Sequence, residues 1–196
     1  MKVAIVKYNA GNTQSVIFAL ERLGITPILT ADKAILSTAD KVIFPGVGEA
    51  SSTMKHLQEY NLATLIPQLL QPVLGICLGL QLMCKHSEEG NTTGMGIFDI
   101  NVKKFRTLDT SFKIPHIGWN DFTCLSSPLF DGIASSDHVY FVHSYYAELS
   151  KDTIATCDYI QPFSAALHKD NFYAVQFHPE KSADVGSKIL DNFLKM

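Results

Sequence analysis

Cys77 stands in Gly75-Ile76-Cys77-Leu78-Gly79, after the apolar run Val73 to Ile76 and before an apolar segment, Leu78 to Lys85, that contains Gln81. A nucleophile on a sharp strand-to-helix turn is pushed into a strained, exposed position, and glycines two residues to either side give the crowded backbone room. The start of the following helix favours thiolate over thiol, and the amide of Leu78 faces an oxyanion formed at the attacked carbon. A lone cysteine in such company is as readily a packed core residue. The flanking glycines are what favour the elbow.

A thiol nucleophile needs a base and an orienter, and His178-Pro179-Glu180 offers both after the run Phe172 to Phe177. Proline holds His178 extended, and residues two apart in an extended segment project to the same side, so imidazole and carboxylate meet. Glu180 on one ring nitrogen leaves the other free for the thiol proton, a Cys-His-Glu relay. Alone the tripeptide is also an ordinary charged loop; beside the elbow it reads as a base. Pro45-Gly46-Val47-Gly48 follows Val42 to Phe44, and its glycines let backbone amides approach a ligand, with Val47 or Gly48 as a second oxyanion donor. The loop lacks a P-loop lysine and the dinucleotide fingerprint, so no cofactor is expected.

These three loops belong at the carboxyl ends of strands, where ligands bind in open α/β sheets. Val3 to Val6, Ile25 to Leu29, Lys41 to Phe44 and Val73 to Ile76 read as strands. Val16, Ala19, Leu20 and Leu23 mark a helix stopped at Gly24, and another helix follows Glu49. After Asn101 the chain becomes strand-rich: Ile117 to Phe122, Val139 to Tyr145, Ile154 to Cys157, and Ser164 to Leu167 paired with Phe172 to Phe177 across a turn at Lys169-Asp170-Asn171. A closing helix carries Ile189, Leu190 and Phe193, with Ser182 or Asp184 as its cap. The expected fold is α/β: one domain over residues 1–196, with an open, mostly parallel twisted sheet, helices on both faces, and a mixed or antiparallel second half of flavodoxin-like type.

Composition narrows the partners. The 196 residues are 46% hydrophobic and 18% charged, as in a compact globule able to bury about 70% of its unfolded surface. Sixteen Lys and Arg against 19 Asp and Glu leave a net charge of -3 without a basic run, which argues against nucleic acid. The first apolar stretch is too short for a signal peptide, and Leu65 to Cys84 is broken by Pro67, Gln68, Gln71, Pro72 and Gln81, so no membrane is expected. Cys77, Cys84, Cys124 and Cys157 form no Cys-x-x-Cys pair; neither disulfides nor a metal site is expected, and the chain fits a reducing cytoplasm.

With Pro-Gly-Val-Gly, Gly-Ile-Cys-Leu-Gly-Leu-Gln and His-Pro-Glu in this order, the chain resembles the class I (triad) glutamine amidotransferases over nearly its whole length. Tyr8-Asn9-Ala10-Gly11-Asn12, Ile117-Gly118-Trp119-Asn120 and Lys181-Ser182 are similar to the branch formed by the glutaminase subunits of imidazole glycerol phosphate synthases. Lys7 and Asn9 depart from the Asp-Tyr-Gly form common at the opening loop. The resemblance implies Cys77 as nucleophile, His178 as general acid and base, Glu180 as its orienter, and no cofactor. It implies L-glutamine held by Gln81, Glu89, Ser144, Tyr145 and the loop at Gly48. Glu89 is equally a solvated residue of Ser87-Glu88-Glu89, and Tyr145 equally core. The resemblance further implies a heterodimer with a (βα)8-barrel cyclase that takes the ammonia, for which Asn12, Trp119, Asn120 and Lys181 are the candidate docking residues, with Trp119 either interface anchor or core. Two other readings stand beside it: a glutaminase subunit for anthranilate, aminodeoxychorismate or pyridoxal phosphate synthesis, and a non-catalytic flavodoxin-like binding domain.

Overall fold

Four successive buried residues make β1 (Val3–Val6) a strand covered on both sides: Val3 and Ile5 enter one core, Ala4 faces another together with Val6. The computed structural model describes residues 1–9 and 12–196. Helix α1 (Thr13–Arg22) adds Val16, Ala19 and Leu20 to the first core, and the chain turns at Gly24, whose φ of 78° is the left-handed value expected after a helix end.

Next come β2 (Ile28–Thr30), α2 (Lys33–Thr38) and β3 (Lys41–Gly46). Asp32 caps α2 by accepting from the amides of Ala34 and Ile35 at 2.8 and 3.1 Å. Glu49 caps α3 (Ala50–Glu59) in the same way, and its bonds from the Ser52 and Ser51 amides hold its carboxyl at about 2. Then follow α4 (Leu62–Leu65), β4 (Val73–Cys77) and, without a spacer, α5 (Leu78–Met83).

The helix expected to reach Lys85 stops at Met83. Cys84 begins β5 (Cys84–Ser87), which pairs with β6 (Thr92–Thr93) and β7 (Phe98–Lys104). The carbonyls of Leu82 and Cys84 accept from the amides of Met95 and Gly96 at 2.7 and 3.1 Å, and these tertiary bonds replace a further helical turn.

The second half contains β8 (His116–Asn120), β9 (Cys124–Leu125), β10 (Val139–His143), β11 (Tyr145–Ala147), β12 (Thr153–Tyr159), β13 (Gln161–Lys169), β14 (Phe172–Val175) and α6 (Ala183–Lys195). The run expected as one strand from Val139 to Tyr145 is two strands, broken at Ser144, that join different sheets. Ser182 sits at the start of α6 without capping it: its hydroxyl donates to the His178 carbonyl at 2.6 Å and accepts from the Tyr140 amide at 2.9 Å. Asp184 lies inside the first turn.

The main sheet has the order β2-β1-β3-β4-β14-β13-β12-β9, parallel as far as β14 and antiparallel beyond it. Helices α1 and α6 cover one face, and α2 to α5 the other. This is the mixed α/β sheet read from the sequence. Two small sheets flank it, β10-β8 and β11-β7-β5-β6. Among the described residues no helix is long and apolar enough to cross a membrane. Because β3, β4 and β14 are neighbours, with Gly46 opposite Cys77 and Val175 opposite Ile76, their carboxyl ends bring three loops to one spot.

Candidate active site

Cys77 has φ 52° and ψ -108°, a conformation that side-chain-bearing residues rarely adopt and that costs of order 1–3 kcal/mol. Close packing of the glycines around it holds the turn there. A Cβ at Gly75 would lie 2.8 Å from the Met83 sulfur, and one at Gly79 would collide with the Phe44 carbonyl. Gly46 is bare for the same reason, since a Cβ there would come within 2.6 Å of the Gly79 nitrogen. In the Pro45-Gly46-Val47-Gly48 loop, therefore, Gly46 serves the packing of β3 on α5. Gly48, with φ 118° and open space about its Cα, supplies the conformational freedom. The Tyr8 hydroxyl donates to the Pro45 carbonyl and anchors the loop's near end. Burial, and next the charge at Cys77, push this phenol's pKa up, so it stays a donor.

His178 Nδ1 lies 2.8 Å from Glu180 Oε1, and both side chains are almost wholly buried. Extended backbone at His178 sets this i,i+2 contact, in agreement with the expectation from Pro179. Asn12 adds a second donor to Glu180 Oε1 at 3.3 Å. Burial alone would lower the affinity of His178 for a proton; interaction with Cys77 and Glu180 outweighs it and raises the imidazole well above its ordinary value. Its Nε2 is buried and has no hydrogen-bond partner among the described residues, which leaves the proton of the charged ring available to a group entering the cavity.

A cavity of about 360 Å³ opens over this pair, within the usual span for small-molecule sites. It brings together Cys77 and His178, the oxyanion candidates Val47, Gly48 and Leu78, and all four substrate candidates, Gln81, Glu89, Ser144 and Tyr145. Glu180 lies behind His178. Glu89 is half-buried and accepts from the Ala50 amide at 2.9 Å; burial, then the nearby Glu49 charge, raise its pKa. Tyr145 is only partly buried; it lines the cavity and also packs against the second core.

The docking candidates surround the turn that carries His178 and Glu180. Asn12 reaches Glu180, and Lys181 is exposed within the turn. Trp119 is 52% exposed and packs edge-on against Tyr140, whose carbonyl accepts from the His178 amide. Asn120, opposite Val139, binds the Asp158 carbonyl at 3.1 Å through its side chain. Trp119 is thus a surface residue. Ala10 and Gly11 of the opening stretch lie outside the described residues.

Sequence reasoning misses Gln176. Fully buried, it donates through Nε2 to the Cys77 sulfur at 3.6 Å and accepts through Oε1 from Gln81 Nε2 at 3.1 Å. The signal is present: Gln176 is a polar residue within the apolar run Phe172 to Phe177, just past the end of β14 and two positions before His178. His143 and its partner His116 are missed as well.

A cysteine on a strand-to-helix elbow, a buried histidine–carboxylate pair and a glycine loop facing it define a class, that of α/β proteins equipped for thiol-dependent acyl transfer. The chain belongs to the class-I glutamine amidotransferase family, whose model matches residues 4–196. It is 59% identical over 196 residues to the imidazole glycerol phosphate synthase subunit HisH of Bacteroides fragilis (strain YCH46), with all of both chains covered. It is 44% identical over 198 residues to the subunit of the same name from Yersinia pseudotuberculosis, again over the whole of both. The solved structure of a putative GMP synthase subunit from Thermoplasma acidophilum shares the fold, with a TM-score of 0.74 at 22% identity, covering 100% of this chain and 93% of that one.

Proposed function

We propose that residues 1–196 act as the glutaminase subunit of an imidazole glycerol phosphate synthase, releasing ammonia from L-glutamine for a cyclase subunit in histidine biosynthesis. The observation that carries the glutaminase chemistry is the single cavity shared by Cys77, His178, the glycine loop and Glu89. Full-length identity to subunits of that name supports the pathway. The Cys77 sulfur attacks the side-chain amide carbon of glutamine, and the amides of Leu78 and of Val47 or Gly48 receive the oxyanion. The carbon–nitrogen bond breaks as His178, held by Glu180, gives its proton to the amide nitrogen, which departs as ammonia. Water then adds to the thioester carbon with His178 as base, and the sulfur departs from glutamate.

Glu89 takes the ammonium of the substrate, while Gln81, Ser144 and Tyr145 line the rest of the amino-acid head's site. Its role predicts a pH effect of definite sign. The carboxylate form binds, so KM for glutamine rises as pH falls through the Glu89 value, which lies above the ordinary carboxylate range. Glu89→Gln removes that limb and raises KM by about 10- to 100-fold, from a charge-assisted bond of about 1.5–3 kcal/mol. KM measured between pH 4 and 8 for both proteins checks it; an unchanged KM takes Glu89 out of the site.

Ammonia released into water is protonated and lost as a nucleophile, so productive hydrolysis belongs in a heterodimer with a (βα)8-barrel cyclase. Asn12, Trp119, Asn120 and Lys181 form its docking face, against the turn that holds Glu180. Gly48 gives the oxyanion loop the freedom to turn a peptide inward once the partner is bound. A reactive thiol and a metabolic role support a reducing cytoplasm as the protein's location. The expected result is that glutamine turnover by the isolated chain is low, rises on adding the cyclase, and rises again with the cyclase's acceptor ligand. Equal rates in all three mixtures refute partner gating, and co-purification with a different synthase redirects the pathway.

A further inference from the structure

The chain changes sheets at Ser144, between β10 and β11, and this corner forms one wall of the cavity. A histidine spans the corner. His143 Nδ1 lies 2.8 Å from the carbonyl oxygen of Tyr145, two residues on. A carbonyl only accepts, so Nδ1 carries the hydrogen. His143 Nε2 lies 3.0 Å from His116 Nδ1, and in a neutral ring it is then a bare acceptor, which requires a hydrogen on His116 Nδ1. With both rings neutral, one placement of hydrogens satisfies both contacts. The His116 ring is itself held between Tyr159, stacked at 3.9 Å and 12°, and Phe141, at 4.9 Å and 19°.

The Tyr145 carbonyl also accepts from Gln81 Nε2 at 2.9 Å, and that amide continues through Gln176 to the Cys77 sulfur. A hydrogen-bonded path thus joins β8, the strand of Trp119, to the nucleophile, and the Tyr145 carbonyl is its node. We propose that His143 is a positioning residue for the substrate: it locks the Ser144–Tyr145 corner that receives the amino-acid head of glutamine, and His116 fixes the tautomer that does so. Burial keeps both rings neutral, with His116 lowered to about 4 and His143 to about 3, as the tautomer lock requires.

This inference rests on the glutaminase reading, and two measurements separate them. ¹⁵N spectra of the imidazoles in the full chain, which need no activity, should show both rings as Nδ1–H tautomers; an Nε2–H tautomer at His143 overturns the proposal. In glutaminase assays with the cyclase, His143→Phe should raise KM for glutamine about tenfold or more with a smaller effect on kcat, because the carbonyl that fixes the corner loses one of its two donors while the reacting atoms keep theirs. His143→Asn, whose amide reaches the Nδ1 position, should restore much of that loss. An unchanged KM in a folded His143→Phe protein, or an Asn variant no better than Phe, refutes the role. Absence of glutaminase activity from the unmodified complex would instead refute the underlying reading.

Discussion

Cys77→Ala is expected to reduce glutamine hydrolysis about ten-thousand-fold or more, to background, while the protein melts as before. Among the described residues Cys77 brings the only sulfur to the cavity lining, so on the proposed mechanism no neighbouring group replaces it. The other thiols stand apart. Burial pushes Cys84 upward and Cys157 to about 12, which keeps both protonated and unreactive. Cys124 is exposed but belongs to β9, at the far edge of the main sheet. A glutamine-mimicking electrophile should therefore modify Cys77 alone, and a small general alkylating agent Cys124 as well. Peptide mass mapping after each reagent distinguishes the two patterns. Glutamine-dependent turnover by the alanine variant at the unmodified rate would remove Cys77 from the mechanism.

The second large effect concerns the buried pair. His178→Asn should lower kcat by about a thousandfold or more, because in the proposed mechanism the same ring protonates the leaving nitrogen and later activates water. Glu180→Gln should cost about a hundredfold, less than the histidine, since the carboxylate orients and charges the ring without itself moving a proton. Asn12 touches the same carboxylate oxygen and leaves part of its placement intact. The double variant should be little worse than His178→Asn alone, because an orienter has no task once its ring is gone. Steady-state kcat for the four proteins closes the cycle; losses that simply multiply would show two independent groups and end the relay.

Much of this is legible in the sequence because the signals are local. β1 has the bounds its residues suggest, because four apolar β-prone residues between polar ends admit little else. The i,i+2 geometry of His178 and Glu180 follows from one proline. The elbow glycines read as room for the backbone, which is what Gly75 and Gly79 provide. What escapes is short or tertiary. Helix α2 has six residues and only Leu36 fully buried, too brief for a helical period to emerge. The apolar pattern overruns the end of α5 because that end is made by amides of Met95 and Gly96, more than ten residues away. β7 does alternate, with Phe98, Ile100 and Val102 buried between polar neighbours, and is an available pattern left unread. Gln176 announces itself by polarity alone. The His116–His143 contact joins residues 27 apart through two strands whose pairing no single stretch encodes.

The seam at Ser144 also divides the pocket by its resistance to local opening. Cys77 and the glycine loop hang from central parallel strands whose exposure requires undoing both cores, so the reacting groups share the protection of the global fold. Ser144 and Tyr145 instead ride on a two-stranded ribbon and on the outer strand of a four-stranded sheet. Fluctuations that release an outer strand require less free energy than undoing a central one, and here they would reach the Ser144–Tyr145 side of the site first. If Ser144 and Tyr145 hold the substrate as proposed, warming is expected to erode affinity before chemistry, and a partner docked on the β8–β10 ribbon to oppose that erosion.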